Sequence, residues 1–516
     1  MAEYKVLLTT SGLGSRLGNL TKFINKSLVR IGKKPAISYI IELYPIDTEF
    51  VVSLGYYGDQ VKQFLSLAYP DRNFIFVDIE NYNGPGSSLL YSMYQCKDYL
   101  QNPFIFHACD TVVEPEDTNF DDNWVGGCKQ ESSFQYRTLN VRDGTLIKVN
   151  DKGEEFYDYV YIGICGIRDY DLFWKYADEI LKTNDRSDLS DCHVINKMMD
   201  HFNFSMIEYK TWYDIGNVDS LKKSRDNIPD RFHLLDKDDE SIFLFDPNFV
   251  IKFFYDEDIC KNRISRLSHL DGVTPKLLGS TKNFYKYEYL NGEVYSQVVN
   301  SKNFEEFLHW SKENLWIKTN VDITNTCKDF YFNKTHKRIS KYLTDNGMGA
   351  DTSCTINSKK VPSIFELINK IDVNYLASKD GYKFHGDFIL ENVISNGDNY
   401  YLIDWRQDFG GDILNGDIYY DLAKLKHNLT VNHDIIDKKL YQIDIKKDQV
   451  KVDILRSNEQ FECVRVLENF VSEMGLDNRK VDIIKSLIWI NMAPLHKQPI
   501  SDFLFYFGKY NLYLNL

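Results

Sequence analysis

The sequence has no C-x-x-C pair among its nine cysteines, which argues against both a zinc knuckle and a disulfide framework. It has no apolar run approaching the length of a membrane span and no charged-then-apolar leader, so it reads as soluble and cytoplasmic. Surplus positive charge is missing too: the formal net charge is −14, which argues against a nucleic-acid partner held by general electrostatics. Internal repeats and low-complexity tracts are absent as well. The expected partners are small molecules, with self-association left open. At 516 residues the chain exceeds one ordinary domain, and 43% hydrophobic with 26% charged residues is a globular balance. Two or three domains, each with its own core, are expected.

What is present begins with an apolar run, Val6-Leu7-Leu8, that leads into a loop carrying Gly12, Gly14, Ser15 and Arg16. Glycine lets backbone N–H groups approach a polyphosphate closely, because no Cβ stands in the way. Arg16 could bind phosphate oxygens, and Lys26 could neutralise charge building on a displaced phosphate. Taken alone, the loop reads more readily as an ordinary strand–turn–helix. The G-K-[ST] ending of a Walker loop is missing, as is the third glycine of a dinucleotide fingerprint.

Farther along, helical stretches over 36–43 and 59–67 alternate with apolar strands over 49–54 and 73–78, the pattern of a parallel α/β sheet. Asn83-Gly84-Pro85-Gly86-Ser87-Ser88 reads as a polar turn, with Ser87 able to cap a helix that begins near Ser88. The apolar strand 104–109 ends on Asp110, and Asp214 follows a strand over 205–209. Carboxylates at strand ends sit where open α/β sheets bind ligands. A pair of them, with water and phosphate oxygens, suits octahedral Mg²⁺. Between them, Asp143-Gly144 is a hairpin turn signal.

The run G-L-G-S-R-L, then Thr21, Lys26-Ser27-Leu28, Gly32 and Pro35, resembles the signature of the sugar-nucleotide pyrophosphorylase superfamily. It is most similar to the phosphocholine cytidylyltransferase branch, with Asn25 where many sugar enzymes have proline. The resemblance implies an α/β nucleotidyltransferase domain, Rossmann-like with a mixed sheet, over 1–229. It also implies a nucleotide held by Gly12, Gly14, Ser15, Gly84, Gly86, Ser87 and Ser88, catalysis by Arg16 and Lys26, and Mg²⁺ on Asp110 and Asp214. CTP is the first-choice donor. The phosphocholine branch carries paired asparagines where Gly86-Ser87-Ser88 stand, so the base stays open between CTP and another NTP.

Near Asn227-Ile228-Pro229-Asp230 the α/β pattern stops, and 241–254 reads as strand–turn–strand. Lys252 on the second strand is either a solvated strand lysine or a phosphate-binding one. Phe384-His385-Gly386-Asp387 through Asn392, followed by the strand 400–403 ending on Asp404, gives an H-G-D-x-x-x-x-N loop plus a second carboxylate. Such a loop sets an acid beside an attacking hydroxyl and an amide on Mg²⁺. With Glu288 and Leu290 in a hinge-like run, and with Asp417 and Asp421, this resembles the choline kinase and aminoglycoside phosphotransferase family. The resemblance implies an α+β protein-kinase-like domain over 240–516. Asp387 would be catalytic, Lys252, Glu288 and Leu290 would hold ATP, and Asn392 and Asp404 would hold Mg²⁺. The chain departs from that family in lacking a glycine-rich loop before Lys252, and Arg263 stands near where the lysine's glutamate partner would fall. Asp408-Phe409-Gly410 spells another metal motif but follows a polar stretch, and is set aside. Helical packing faces are expected over 304–318, 362–377 and 459–473.

Together these readings describe a bifunctional enzyme. It would phosphorylate a small sugar, polyol or amino alcohol with ATP. It would then transfer a nucleotidyl group to that phosphate, making an activated precursor for surface polysaccharide or lipid decoration. The rival reading makes the second half an inactive binding or regulatory module. Arg406, just beyond the strand ending at Asp404, either points into the acceptor pocket, where it would repel a quaternary ammonium and favour a hydroxyl-rich or acidic acceptor, or turns away to pair with Asp408, Asp412 or Asp417.

Overall fold

The computed structural model describes residues 4–116, 122–130, 132–183, 187–232, 237–397 and 399–516. The chain divides into two compact units, Met1–Glu257 with Leu278–Tyr289 and Asp258–Leu277 with Leu290–Leu516.

The first unit is an α/β fold on a nine-stranded mixed sheet. Its strands are β1 (Lys5–Thr9), β2 (Glu49–Leu54), β3 (Asn73–Asp78), β4 (Phe104–Ala108), β6 (Asn123–Cys128), β7 (Thr138–Arg142), β8 (Thr145–Asn150), β9 (Tyr159–Ile167) and β10 (Phe204–Glu208). A separate antiparallel pair is made by β5 (Thr111–Val113) and β11 (Trp212–Asp214). The order across the large sheet is β3-β2-β1-β4-β9-β6-β10-β8-β7. Strands β3, β2, β1 and β4 run parallel, and β9 pairs antiparallel to both β4 and β6.

Each parallel strand is apolar on both faces. Val6 and Leu8 face one core with Phe50 and Val52, while Leu7 faces the other with Val51, Phe104 and Phe106. That is the burial expected of strands covered on both sides. Helices α1 (Ala36–Glu42), α2 (Gly58–Ala68), α3 (Leu89–Gln95), α4 (Tyr170–Thr183), α5 (Asp191–Met198) and α6 (Val218–Asn227) complete the unit. Chain order reverses between β1 and β4, where β2 and β3 lie to one side. Residues that follow β1 and β4 therefore emerge at a topological switch point, the usual ligand crevice of such sheets.

Strands β12 (Glu240–Phe245), β13 (Phe249–Phe254), β14 (Leu277–Ser280) and β15 (Phe284–Glu288) form a four-stranded sheet. The sequence assigns 240–254 and 284–288 to a second domain beginning at 240, yet they group with the first unit. The cause is aromatic packing. Phe243, Phe245, Ile251, Phe253 and Phe284 share one buried cluster with Val61, Phe64 and Leu65 of α2, and the Phe64 ring lies 5.5 Å from Phe243 and 5.9 Å from Phe284. Within the expected linker, residues 233–236 lie outside the described ones.

The second unit is mainly helical. Ile418–Thr430 is buried along nearly its whole length. Two of the expected helices differ in extent. The first spans Ser301–Asn314 rather than 304–318, and 362–377 splits into Ile364–Ile368 and Val373–Leu376 because Asp372 caps a new start at Asn374 and Tyr375. The third, Asn458–Glu473, lies where expected.

His107 is fully buried on β4. Its Nε2 lies 2.7 Å from the Thr111 carbonyl, which can only accept, so Nε2–H donates and Nδ1 accepts the Tyr44 hydroxyl at 2.8 Å. Burial pushes the imidazole down from 6.5 to about 4, against the upward pull of the Thr111 carbonyl and Asp110. The unfolded chain protonates near 6.5 and the folded chain near 4. Stability is thus full above 6.5 and lost as pH falls toward 4. The melting temperature of the parent should fall more between about pH 7 and about pH 5 than that of His107→Gln, which cannot titrate. An equal fall would remove His107 from the acid response.

Candidate active sites

At the switch point of the first unit, the loop after β1 turns through Gly14 at φ 66°. A Cβ there would lie 3.0 Å from both Lys26 Cβ and Thr21 Cγ2, so conformation and space both require glycine. Ser15 and Arg16 open a 3₁₀ turn, Ser15–Thr21, and both are exposed. Lys26 opens the next one, Lys26–Leu28.

Asn25 fastens the two segments together. Its Nδ2 donates to the Thr10 and Tyr56 carbonyls at 2.9 and 2.6 Å, and its Oδ1 accepts from Ser27 N and Oγ at 2.9 and 2.8 Å. The backbone N–H of Asn25 donates to Gln60 Oε1 at 3.0 Å. The side chain is fully buried. Sequence reasoning noted Asn25 only as a stand-in for proline. Its position before a short polar helix start, as an N-cap, was the available signal.

Asp110 lies two residues past the end of β4 rather than at the strand's last residue. Its Oδ2 bonds Lys26 Nζ. Burial would raise the carboxyl, but Lys26, reinforced by Arg16, holds it below the usual range. Burial likewise opposes charge on Lys26, and Asp110 more than offsets it. Both groups stay ionised.

Asp214 is carried to the same place by strand pairing. In the β5–β11 register it stands opposite Thr111, and Ile215 N–H donates to the Asp110 carbonyl at 3.2 Å. Its Oδ1 accepts from Gly216 N at 2.8 Å, its Oδ2 from the Tyr136 hydroxyl at 2.8 Å, and its carbonyl from Ser224 Oγ at 2.8 Å. Gly216 marks the meeting point. A Cβ on it would lie 3.0 Å from Asp214 Oδ1, 3.7 Å from Arg16 Nη2 and 3.7 Å from Asp110 Oδ2. Arg16, Lys26, Asp110 and Asp214 thus converge on one spot. Among the described residues no group of three or more His, Cys, Asp or Glu side chains suited to a metal occurs. The pair Asp110 and Asp214 still fits Mg²⁺, which commonly takes one or two carboxylates and completes its shell with water and phosphate oxygens.

Gly84 and Gly86 have φ 92° and 81°. Ser87 donates its hydroxyl to the Gly84 carbonyl at 2.6 Å, so it closes the turn, and Ser88 caps α3 by accepting from Tyr91 N at 3.0 Å. This corrects the capping role expected for Ser87. Gly12 accepts a Cβ into open space. Ser11 Oγ donates to Ser92 Oγ of α3 at 3.0 Å, which ties the 10–14 loop to the helix that follows the turn.

Lys252 is buried on β13, opposite Tyr285 of β15, rather than solvated. Glu288 ends β15, three rungs along, and Leu290 begins the later stretch of the second unit. Within the second unit, Asp387, Asn392 and Asp404 do gather. Asp421 accepts His385 N and Gly386 N at 2.8 and 2.7 Å, and burial pushes it up to about 6 against those bonds. His385 Nε2 donates to the Ile403 carbonyl at 2.9 Å, so its Nδ1 accepts Asp387 N–H at 3.2 Å. The buried imidazole is held down at about 3 and is neutral.

Asn392 Nδ2 donates to the Asp387 carbonyl at 2.9 Å and lies 3.5 Å from Asp387 Oδ2, while Ile403 N–H donates to the Asn392 carbonyl. Asp404 falls two residues past its strand, at φ 60°, with Arg263 Nη1 3.3 Å from its Oδ1. The oxygens of Asn392 and Asp404 are hard donors that suit Mg²⁺, with Arg263 as a competing cation. Asp408 accepts Gly411 N–H at 2.9 Å and so caps the turn there. Arg266, which the sequence reading missed, is 2% exposed and donates to the Phe384, His385 and Arg406 carbonyls. An arginine in a charged helix carries no sequence mark of such burial.

No protein-family model matches the chain. A choline-phosphate cytidylyltransferase of Streptococcus pneumoniae is 29% identical over 111 residues, covering 20% of this chain. The chain spans less than half of that relative, 44% of its length. Among solved structures, the CTP:phosphocholine cytidylyltransferase of Streptococcus pneumoniae is 19% identical over 43% of this chain and 97% of its own, with TM-score 0.38. The inositol-1-phosphate CTP transferase of T. maritima is 17% identical over 44% and 98%, with TM-score 0.36.

Replacing Asn25 with alanine would strand the Thr10 and Tyr56 carbonyls and Ser27 N–H inside the protein. The first unit should lose ~3 kcal/mol, read as faster hydrogen exchange across β1 and β4. Exchange unchanged from the parent would show that the clamp contributes nothing.

Proposed function

We propose that the first unit is a nucleotidyltransferase acting on a phosphorylated small alcohol, with CTP as donor, and that the second unit is the ATP-dependent kinase that makes this phosphate. The observation that carries the first assignment is the convergence of Arg16, Lys26, Asp110 and Asp214 around Gly216 at the switch point. The choice of CTP is supported by the relative that is a choline-phosphate cytidylyltransferase.

In this reading an oxygen of the acceptor's phosphate forms a bond to the α-phosphorus of the nucleotide. The bond from that phosphorus to the bridging oxygen breaks, and pyrophosphate leaves with the electron pair. Lys26 stays protonated because Asp110 sustains its charge, and with Arg16 it faces the negative charge that grows on the leaving group. Glycines 12 and 14 keep side chains off the path of the triphosphate. Mg²⁺ held by Asp110 and Asp214 would supply further charge neutralisation when bound.

In the second unit, Asp387 would accept the acceptor's hydroxyl proton as that oxygen bonds to the γ-phosphorus of ATP and ADP departs. Lys424, 2.7 Å from its Oδ1, holds Asp387 well below the usual carboxylate range. Such a weak base orients the hydroxyl and takes its proton late. Mg²⁺ would rest on Asn392 and Asp404, and Leu290 would serve ATP. The Arg263 contact on Asp404 favours a second reading, in which this unit binds nucleotide or ligand without turnover.

Asp110→Asn should cut CTP-dependent pyrophosphate release at least a hundredfold while circular dichroism stays that of the parent, a loss of about 3 kcal/mol or more in transition-state stabilisation. Retention of most activity would refute the assignment. Asp387→Asn should abolish ADP formation and spare pyrophosphate release from a supplied phosphomonoester. Absence of ADP formation in the parent with every alcohol offered would establish the second reading instead.

A further inference from the structure

Beside Asp387 the second unit presents a wall of cations that the kinase chemistry above does not use. Phe330 is its platform. The Lys334 ammonium lies 4.1 Å from the ring centroid and the Arg406 guanidinium 5.2 Å. The ring itself is fixed by Phe409 at 4.2 Å and Tyr420 at 4.9 Å. Arg338 lies one helical turn beyond Lys334 on the helix Lys334–Asp345, which puts both on one face. Arg406 is pinned against the loop that carries Asp387. Its N–H donates to the His385 carbonyl at 3.0 Å and its Nε to the Asp408 carbonyl at 3.0 Å. A Cβ on Gly386 would lie 2.7 Å from Arg406 Cβ.

The wall has a definite side. Asp387 turns Oδ2 toward Asn392, the candidate metal ligand, and Oδ1 toward Lys424. Lys424, which meets Oδ1, also acts on Lys334 together with Arg338 and Arg406, and the Phe330 ring carries both Lys334 and Arg406. Lys424 has Asp387 as its partner. Among the described residues, Lys334, Arg338 and Arg406 have no carboxylate salt-bridge partner, and Asp408, an acid that acts on Lys334, has its Oδ1 engaged by Gly411 N–H. All three are half-buried. Burial, then Arg406, Arg338 and Lys424, push Lys334 down to about 6. A lysine held down in this way gives up its proton readily in the empty protein, and an anion placed among Lys334, Arg338 and Arg406 lets it keep that proton and offsets the two guanidinium charges.

We infer that the small molecule held opposite Asp387 carries an anionic group, a carboxylate or phosphate, that binds to Lys334, Arg338 and Arg406 while its hydroxyl faces Asp387. This rests on the kinase reading for the hydroxyl but not for the anion site. Choline, a cation, is the wrong class of ligand for this wall.

The test is calorimetric titration of the whole protein with D-glycerate, glycerol 3-phosphate, glycerol and choline, with ATP titrated separately. At least one of the two anions should bind about tenfold or more tighter than glycerol or choline. Arg338→Gln should weaken that anion about tenfold and leave ATP affinity unchanged, and Arg338→Lys should retain most of it. Failure of both anions to bind, equal binding of glycerol or choline, or an unaltered anion affinity in Arg338→Gln would overturn the inference. So would an Arg338→Gln effect that appears on ATP instead, since the cluster would then serve nucleotide phosphates. ADP formation is scored in parallel. Anion binding that depends on Arg338 without ADP formation upholds the anion site and defeats the kinase reading alone.

Discussion

The ion pair between Lys26 and Asp110 sets the terms for the first unit's site. Both side chains are part-buried, and burial works against each charge. Paired, each keeps the other ionised. Everything around the pair serves its position. The parallel register of β1 with β4 sets Thr9 beside Ala108, so the two segments that carry Lys26 and Asp110 leave the sheet side by side. Asn25 fixes the first of those segments and His107 the turn that bears the second. The short β5–β11 pairing then delivers Asp214 across from Thr111. A charge arrangement that is costly in isolation becomes stable because two strand registers and two buried side chains, Asn25 and His107, hold its members in place.

The second unit solves a similar problem with a different device. Its loop 385–392 has no regular partner strand for the N–H groups of His385 and Gly386, and Asp421 on a buried helix accepts both. The aspartate is raised toward neutrality by burial, so those two N–H groups and Trp316 Nε1 are what make an ionised form tolerable there. His385, neutral and doubly bonded, links the same loop to Ile403, next to Asp404. Charged and polar side chains here act as backbone fasteners, and the candidate reactive groups Asp387, Asn392 and Asp404 are held at second hand.

Much of this was legible in the sequence where the signal is local. Glycine spacing, a lysine after a short polar start and carboxylates after apolar runs are features of neighbouring residues, and Arg16, Lys26, Asp110 and Asp214 were all named from them. Strand positions in the first 110 residues also read correctly, because parallel strands that pack apolar side chains on both faces appear as unbroken apolar runs. What escaped depends on distant partners. Asn25 looks like a neutral variation until Thr10, Tyr56 and Gln60 are seen to meet it. Arg266 sits in a helix of mixed charge, and only three carbonyls more than a hundred residues later explain its burial. The grouping of 240–254 with the first unit was equally hidden, since phenylalanines at 243, 245, 253 and 284 give no sign of which core they will join. Ser87 and Ser88 differ by one step of the turn, finer than composition resolves.

Arg266 carries a consequence for motion. One guanidinium collects carbonyls from residues 384 and 385 and from residue 406, so two segments some twenty residues apart in the chain share a single mechanical hinge point. Neither can open without releasing the same side chain. Fluctuations of the loop holding Asp387 and of the turn holding Asp404 are therefore correlated, and the two would exchange amide protons as one cooperative block. A lysine could not replace it, because a single ammonium lacks the planar fork that reaches three oxygens at once.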